Sequence, residues 1–295
     1  MPHFIVRLLS PLGSYPSEGF RTDFEAMVTA SDLCFTITSV SKDDDSFSEI
    51  DNLAPVELPL LGSIMLCADA DQFRIHPYPS PIMFRAHSGQ GLEITNEIME
   101  QANAMLVARI TEREGRIWPT SLVHRPPIVG GQIPYELEYS VDRNPSRLQV
   151  LDFLKASGPV YLRAVSALIK ANMARRHEEF QEAGLLSLWI AMDATHSIIL
   201  ERLRQTGNPN PTSKDAASYV YKAYGIADED AAWEKFFEYD YENRIRFNHP
   251  NNRFGAEARP YGLADDIHEL NDNLIDLLFF LLTGIARDTQ TPIKI

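Results

Sequence analysis

Residues 185–207, LLSLWIAMDATHSIILERLRQTG, decide the reading of the fold. Leu185, Trp189, Met192, His196, Ile199 and Leu203 recur in alternating steps of four and three, the stripe by which a helix faces a core. Gly207 stops it. Upstream, Pro159 suits a first helical turn, with Tyr161, Val165, Leu168 and Ile169 on one face and a stop near Arg175 and Arg176. Downstream, Thr212 or Ser213 caps a short helix that reaches Tyr224 and ends at Gly225. Asp228 caps another, carrying Trp233, Phe236, Phe237 and Tyr241, which must finish before Pro250. A final stripe runs through Leu263, Ile267, Leu270, Leu274, Leu277, Leu281 and Ile285. Residues 146–295 therefore read as an all-α, up-and-down helical bundle. Leu277–Leu282 are apolar on every side and must be buried all round, either by the bundle or by a second copy of the chain.

Before Pro145 the texture changes. Thirteen of the 19 prolines lie at or before this residue, and short alternating segments replace the helical period. Phe4, Val6 and Leu8 alternate, as do Phe35 and Ile37, and Ile133, Tyr135, Leu137, Tyr139 and Val141 form the cleanest half-buried strand, with Pro134 placed on an edge. Asp43–Asp45, the Pro77, Pro79 and Pro81 cluster and Pro126–Gly131 are turn chemistry. One helix interrupts from about Thr95 to Arg109, with Ile98, Ala102, Met105 and Arg109 at helical spacing. Residues 1–145 read as a strand-rich α+β domain.

The chain has 295 residues, 27 Lys and Arg against 41 Asp and Glu, and a formal net charge of −14. That balance disfavours broad electrostatic coating of DNA or RNA, though not a small local site. The excess acid is concentrated before the boundary, where 10 basic residues face 20 acidic ones, against 17 and 21 after it. The longest clean apolar run, Leu277–Leu282, has six residues, short of the ~20 that span a bilayer, so no membrane segment is expected. The first residues lack the basic and apolar regions of a secretory signal. Cys34 and Cys67 form no disulfide framework and suit a reducing compartment, so the expected location is cytoplasmic.

Most chemical signatures are absent. There is no Gly-x-x-x-x-Gly-Lys loop, Gly-x-Ser-x-Gly elbow or His-Glu-x-x-His. Gly89-Gln90-Gly91 and Gly130-Gly131 read as turns, Asp69 and Asp71 as a solvated turn, and His196 as a hydrogen-bonded core histidine. A small-molecule site between the two domains has no motif behind it. Residues 240–250, Asp-Tyr-Glu-Asn-Arg-Ile-Arg-Phe-Asn-His-Pro, are different. At 100° per residue, Arg244 falls within about 20° of Trp233, on the inward face. A cation there needs a partner, which Asp240 supplies structurally as an i, i+4 pair. His249, held extended by Pro250, can fold back beside it.

Arg244-x-x-x-x-His249, preceded by Tyr241, resembles the Arg-x4-6-His motif of HEPN domains, found in many prokaryotic RNases of toxin and antiviral defence systems. Leu185–Glu201 resembles the earlier helix of the Apea-like HEPN branch, and the resemblance covers about Leu148–Ala286. It implies metal-independent endoribonuclease chemistry with no cofactor. His249 would take the proton of a ribose 2′-hydroxyl, and Arg244 would hold the phosphate and its transition-state charge. A 2′,3′-cyclic phosphate results, and DNA, lacking the 2′-hydroxyl, is refused. Tyr241, Asn243, Arg246, Asn248 and Arg253 are the candidate substrate contacts, although Glu242 and Arg246 also suit a surface ion pair. RNA is the implied partner, together with a homodimer through the helical domain, the first domain serving as sensor or partner-binding module. Active members carry a polar residue directly after the Arg, where this chain has Ile245. The alternative on the same fold is a catalytically inactive interaction or dimerisation module.

Overall fold

The computed structural model describes residues 2–9, 19–30, 33–41, 53–67, 82–85, 91–113, 147–174, 180–224 and 264–285. The chain divides into two compact units, Met1–Leu60 with Arg74–Asn144 and Leu61–Phe73 with Pro145–Ile295. The first is α+β with a five-stranded antiparallel sheet, and the described part of the second is helical.

The sheet comprises β1 (His3–Leu9), β2 (Phe20–Arg21), β3 (Glu25–Ala30), β4 (Leu33–Val40) and β5 (Ile82–Arg85), in the order β2-β3-β4-β1-β5. β1 lies between β4 and β5, with Val6 opposite Ile37 on one side and Ile82 on the other. Both of its faces are covered, so every residue from His3 to Leu9 is buried, and alternation in the sequence marks which face each side chain joins. Phe4, Val6 and Leu8 join Phe35, Ile37, Ala26, Ile82 and Phe84 in a core against Ile94, Ile98, Ala102 and Leu106. The last three lie on α2 (Asn96–Arg113), whose first turn is capped where the Ile98 amide donates to Thr95 Oγ1 at 3.3 Å. Leu106, not the expected Met105, fills this core. Met105 is exposed, because a helix buried against a sheet on one narrow stripe takes positions 98, 102 and 106 inward.

The opposite face carries Ile5 and Val40 under Ala54, and beside them a buried ion pair. Arg7 on β1 donates through Nε and Nη2 to both carboxylate oxygens of Glu57, each at 2.8 Å. Glu57 ends the 3₁₀ turn Pro55–Glu57, and its Oε2 also accepts the Ala54 amide at 2.9 Å. A bidentate fork plus a backbone donor satisfies the carboxylate, which is what allows two charges to be buried together.

From this turn the chain continues into α1 (Leu58–Cys67), LPLLGSIMLC, which the sequence reading did not anticipate. Its residues from Leu61 belong to the helical unit. Leu60, Leu61, Ile64, Met65 and Leu66 are fully buried, so apolar residues occupy every side and no period distinguishes it. Gly62 permits its seating: a Cβ there would lie 2.6 Å from Val165 Cγ1 and 3.0 Å from Leu154 Cδ1.

The rest of the helical unit contains α3 (Arg147–Ala156), α4 (Pro159–Ala174), α5 (Gln181–Gln205), α6 (Ser213–Tyr224) and α7 (Ala264–Thr283). α5 packs along α4 and also against α6 and α7, and α3 packs on α7. α5 is capped at Thr206, and Gly207 follows at φ 106°, a left-handed turn in which the Asn208 amide donates to the Leu203 carbonyl at 3.0 Å. Thr212 caps α6 reciprocally: its amide donates to Asp215 Oδ2 at 2.6 Å and its hydroxyl oxygen accepts the Asp215 amide at 3.3 Å. This backbone contact, together with the Thr212 hydroxyl, holds the Asp215 carboxyl below its usual pKa.

Two helices of this unit bear on the sequence reading. By length and composition α5 would be able to cross a membrane, with an 18-residue window of mean hydropathy 1.4, half of it buried inside the chain. The expectation of no such segment rested on unbroken apolar runs, and α5 reaches its mean with scattered polar residues such as Asp193 and Thr195. In α7, Leu277, Leu278, Phe279 and Leu281 are buried within the single chain while Phe280 and Leu282 are half-buried, so the chain's own packing covers most of this apolar run. Ile285 lies beyond the helix end and is exposed. The expected strand at 133–141 and the expected helix from Asp228 lie outside the described residues.

Candidate functional site

Tyr241, Asn243, Arg244, Arg246, Asn248, His249 and Arg253 all lie outside the described residues, as does Asp240. The described helices supply polar groups of their own, which fall into a neutral pair, a titratable histidine and a cationic cluster.

The neutral pair links α4 to α7. Buried Asn172 donates through Nδ2 to the Leu168 carbonyl at 2.9 Å and to Asn271 Oδ1 at 3.0 Å, while Asn271 Nδ2 donates to Asp272 Oδ1 at 3.1 Å. Each amide is engaged, so both can lie in the core without an unmet group.

His196 is half-buried on α5. Burial pushes its pKa below the ordinary 6.5, and the Asp193 carboxylate one turn earlier pulls it part of the way back. A neutral imidazole is the favoured form.

The cationic cluster lies where α4, α5, α6 and α7 contribute one group each. Half-buried Arg202 on α5 donates through Nη2 to the Leu281 carbonyl at 2.8 Å and through Nη1 to the Tyr219 hydroxyl of α6 at 3.1 Å. α7 has no basic residue in its last turn, so Arg202 serves from another helix as the cation that its C-terminus lacks. The Gly284 amide closes the same end on the Phe280 carbonyl at 2.7 Å, with Gly284 at φ 72°. The Tyr219 ring sits against Phe280, centroids 6.4 Å apart. Tyr161, in the first turn of α4, joins the cluster: burial raises its phenol pKa, the Arg202 charge opposes that, and Tyr219 adds to it. Among the described residues no carboxylate pairs with Arg202, whereas neighbouring Arg204 meets Glu201 at 3.1 Å.

The sequence offered no signal for this cluster. Tyr161 was legible as a core-facing residue of α4, but residues 161, 202, 219 and 281 sit on four helices with no shared spacing. Among the described residues there is no group of three His, Cys, Asp or Glu side chains able to hold a metal ion.

No family model, no curated protein and no solved structure matches the chain.

Proposed function

We propose that the helical unit is a HEPN-like module, an up-and-down bundle that binds RNA and cleaves it without a metal ion, leaving 2′,3′-cyclic phosphate ends. The carrying observation is the spacing Arg244-x-x-x-x-His249-Pro250 in a unit with a long, half-buried helix, α5, that packs against α4, α6 and α7 and bears the Leu185–Glu201 pattern. His249 acts as the base on the ribose 2′-hydroxyl, with Arg244 on the phosphate. Tyr241, Asn243, Arg246, Asn248 and Arg253 are the candidate substrate contacts. The working form is a cytoplasmic homodimer joined through the helical unit, in a toxin or antiviral defence role. The sheet unit serves as sensor or partner-binding module.

A second reading is favoured by one residue. Ile245 occupies the position that active members of the resembled family fill with a polar side chain, which supports a catalytically inactive interaction and dimerisation module.

Total RNA after induced expression of the wild type and of His249→Ala, at matched soluble levels, separates the two. Fragmentation by the wild type alone, repeated in vitro with chelator present, is the outcome expected of a metal-independent nuclease. Intact RNA from both proteins, in cells and in vitro, overturns cleavage and leaves the interaction module.

A further inference from the structure

We propose that Arg202, Tyr161 and Tyr219 form a binding site for a phosphate group. The inference is independent of Arg244 and His249.

The argument begins with charge. A guanidinium withdrawn from water needs compensation, and for the buried Arg7 a carboxylate provides it, that of Glu57, whereas Arg21 and Arg85, which also donate to neutral acceptors, are exposed to water. In a protein with 14 more acidic than basic residues, such partners are plentiful. Arg202 instead holds two neutral acceptors, the Leu281 carbonyl and the Tyr219 hydroxyl. The C-terminal end of α7 contributes only about half a negative charge, so the site keeps a net positive balance.

The donor inventory points the same way. A guanidinium carries about five N–H donors in a planar fork, and two are used by these bonds, so the Nε edge and one hydrogen on each terminal nitrogen remain available. Tyr219 accepts from Arg202 through its oxygen, which leaves its own hydroxyl proton to give. The Tyr161 hydroxyl, half-buried beside them, has no hydrogen-bond partner among the described residues. It stands in the first turn of α4, at the positive end of that helix. Every free group in the cluster is thus able to donate, the guanidinium as a donor only and the two hydroxyls through their protons, around a cation held by two hydrogen bonds. Donors arriving from three helices are not coplanar. They suit a tetrahedral oxyanion with several oxygens better than a planar carboxylate, which the fork alone would satisfy.

The test uses the full chain and three phosphate sources at constant ionic strength: inorganic phosphate, adenosine 5′-monophosphate as a monoester, and a short oligoribonucleotide as a diester. Adenosine is the phosphate-free control. Titration calorimetry and the ligand-dependent rise in melting temperature are the readouts. The wild type is expected to bind at least one phosphate source and to ignore adenosine. Arg202→Gln should weaken binding ~10- to 100-fold, as expected for loss of a charged hydrogen-bond donor. Tyr161→Phe makes none of the helix-end contacts, so it should melt in chloride as the wild type does, yet bind ~2- to 10-fold more weakly. Tyr161→Phe therefore keeps the test valid even if Arg202→Gln does not fold. No binding of any phosphate source by the wild type overturns the proposal, as does binding unchanged in both variants. Which source binds best identifies the ligand: preference for the oligonucleotide points to a nucleic-acid backbone, and preference for the monoester to a phosphorylated small molecule.

Discussion

The sheet unit and the helical unit solve the same problem, polar groups inside a core, in different ways. In the sheet unit a full cation meets a full anion, and Arg7 and Glu57 close on each other through two bonds of 2.8 Å, with the Ala54 amide completing the set. In the helical unit the buried partners are neutral, as with Asn172 and Asn271, or the cation is left without a described carboxylate, as with Arg202. A closed ion pair holds structure and has little left to offer a ligand. A cation satisfied only by neutral acceptors keeps its charge for something else. The difference places the sheet unit's polarity in the service of its fold, and makes the helical unit the place to look for chemistry.

The largest effect should come from opening the closed pair. Glu57→Ala leaves Arg7 a buried cation, and loss of one partner of a buried ion pair costs about 3–5 kcal/mol. Denaturant unfolding should show this loss, and amide exchange should locate it in β1 and β4. Replacing both partners together, with Arg7→Met and Glu57→Leu, should cost much less, because no charge is stranded. If the double variant is as unstable as Glu57→Ala, the pair does more than balance charge and the contrast between the units weakens.

Close packing is what the helical unit uses where the sheet unit uses charge, and Gly62 is where it can be broken. Adding a methyl group puts carbon 2.6 Å from Val165 Cγ1, on a helix where a valine side chain has one strongly preferred rotamer and cannot turn away. Gly62→Ala should therefore cost about 1–3 kcal/mol, the usual penalty for overpacking. Val165→Ala in the same chain should return part of that stability, which a double-mutant cycle measures. Additive losses would mean that Gly62 is required for a reason other than this contact.

The same residues explain what could be read in advance. Alternation revealed β1 and β4, and the three-and-four spacing revealed α4, α5 and α7, because each presents one face to a core and another elsewhere. α1 was invisible for the opposite reason: a helix apolar on all sides has no period to detect, and only its neighbours Leu154 and Val165 account for it. α3, ten residues with Val150, Leu151 and Leu154 inward, is too short to outweigh the turn signals around it. Met105 and Leu106 were exchanged because adjacent positions on a helix differ by only 100°, so a stripe read from four residues can be centred one position off. The motif residues of 241–253 could be singled out as a candidate because they are close in sequence, and they lie outside the described residues. The Arg202 cluster, assembled from four helices, could be found only in the folded chain.

A smaller effect should sharpen the contrast through pH. Burial lowers the pKa of His196, with Asp193 opposing in part, so the folded protein binds a proton there less readily than the unfolded chain does. Stability from this group is therefore complete above the ordinary pKa of 6.5 and is lost as pH falls from there through the depressed folded value. Denaturant midpoints measured between pH 7.5 and 5 should decline for the wild type, and less steeply for His196→Gln, which has no proton to gain. Because His196 lies on α5, amide exchange should show the difference between the two proteins in α4 and α5, with β1 unchanged. An equal decline in both proteins would assign the acid sensitivity to other groups, and the helical unit would then lack a titratable core group at this position.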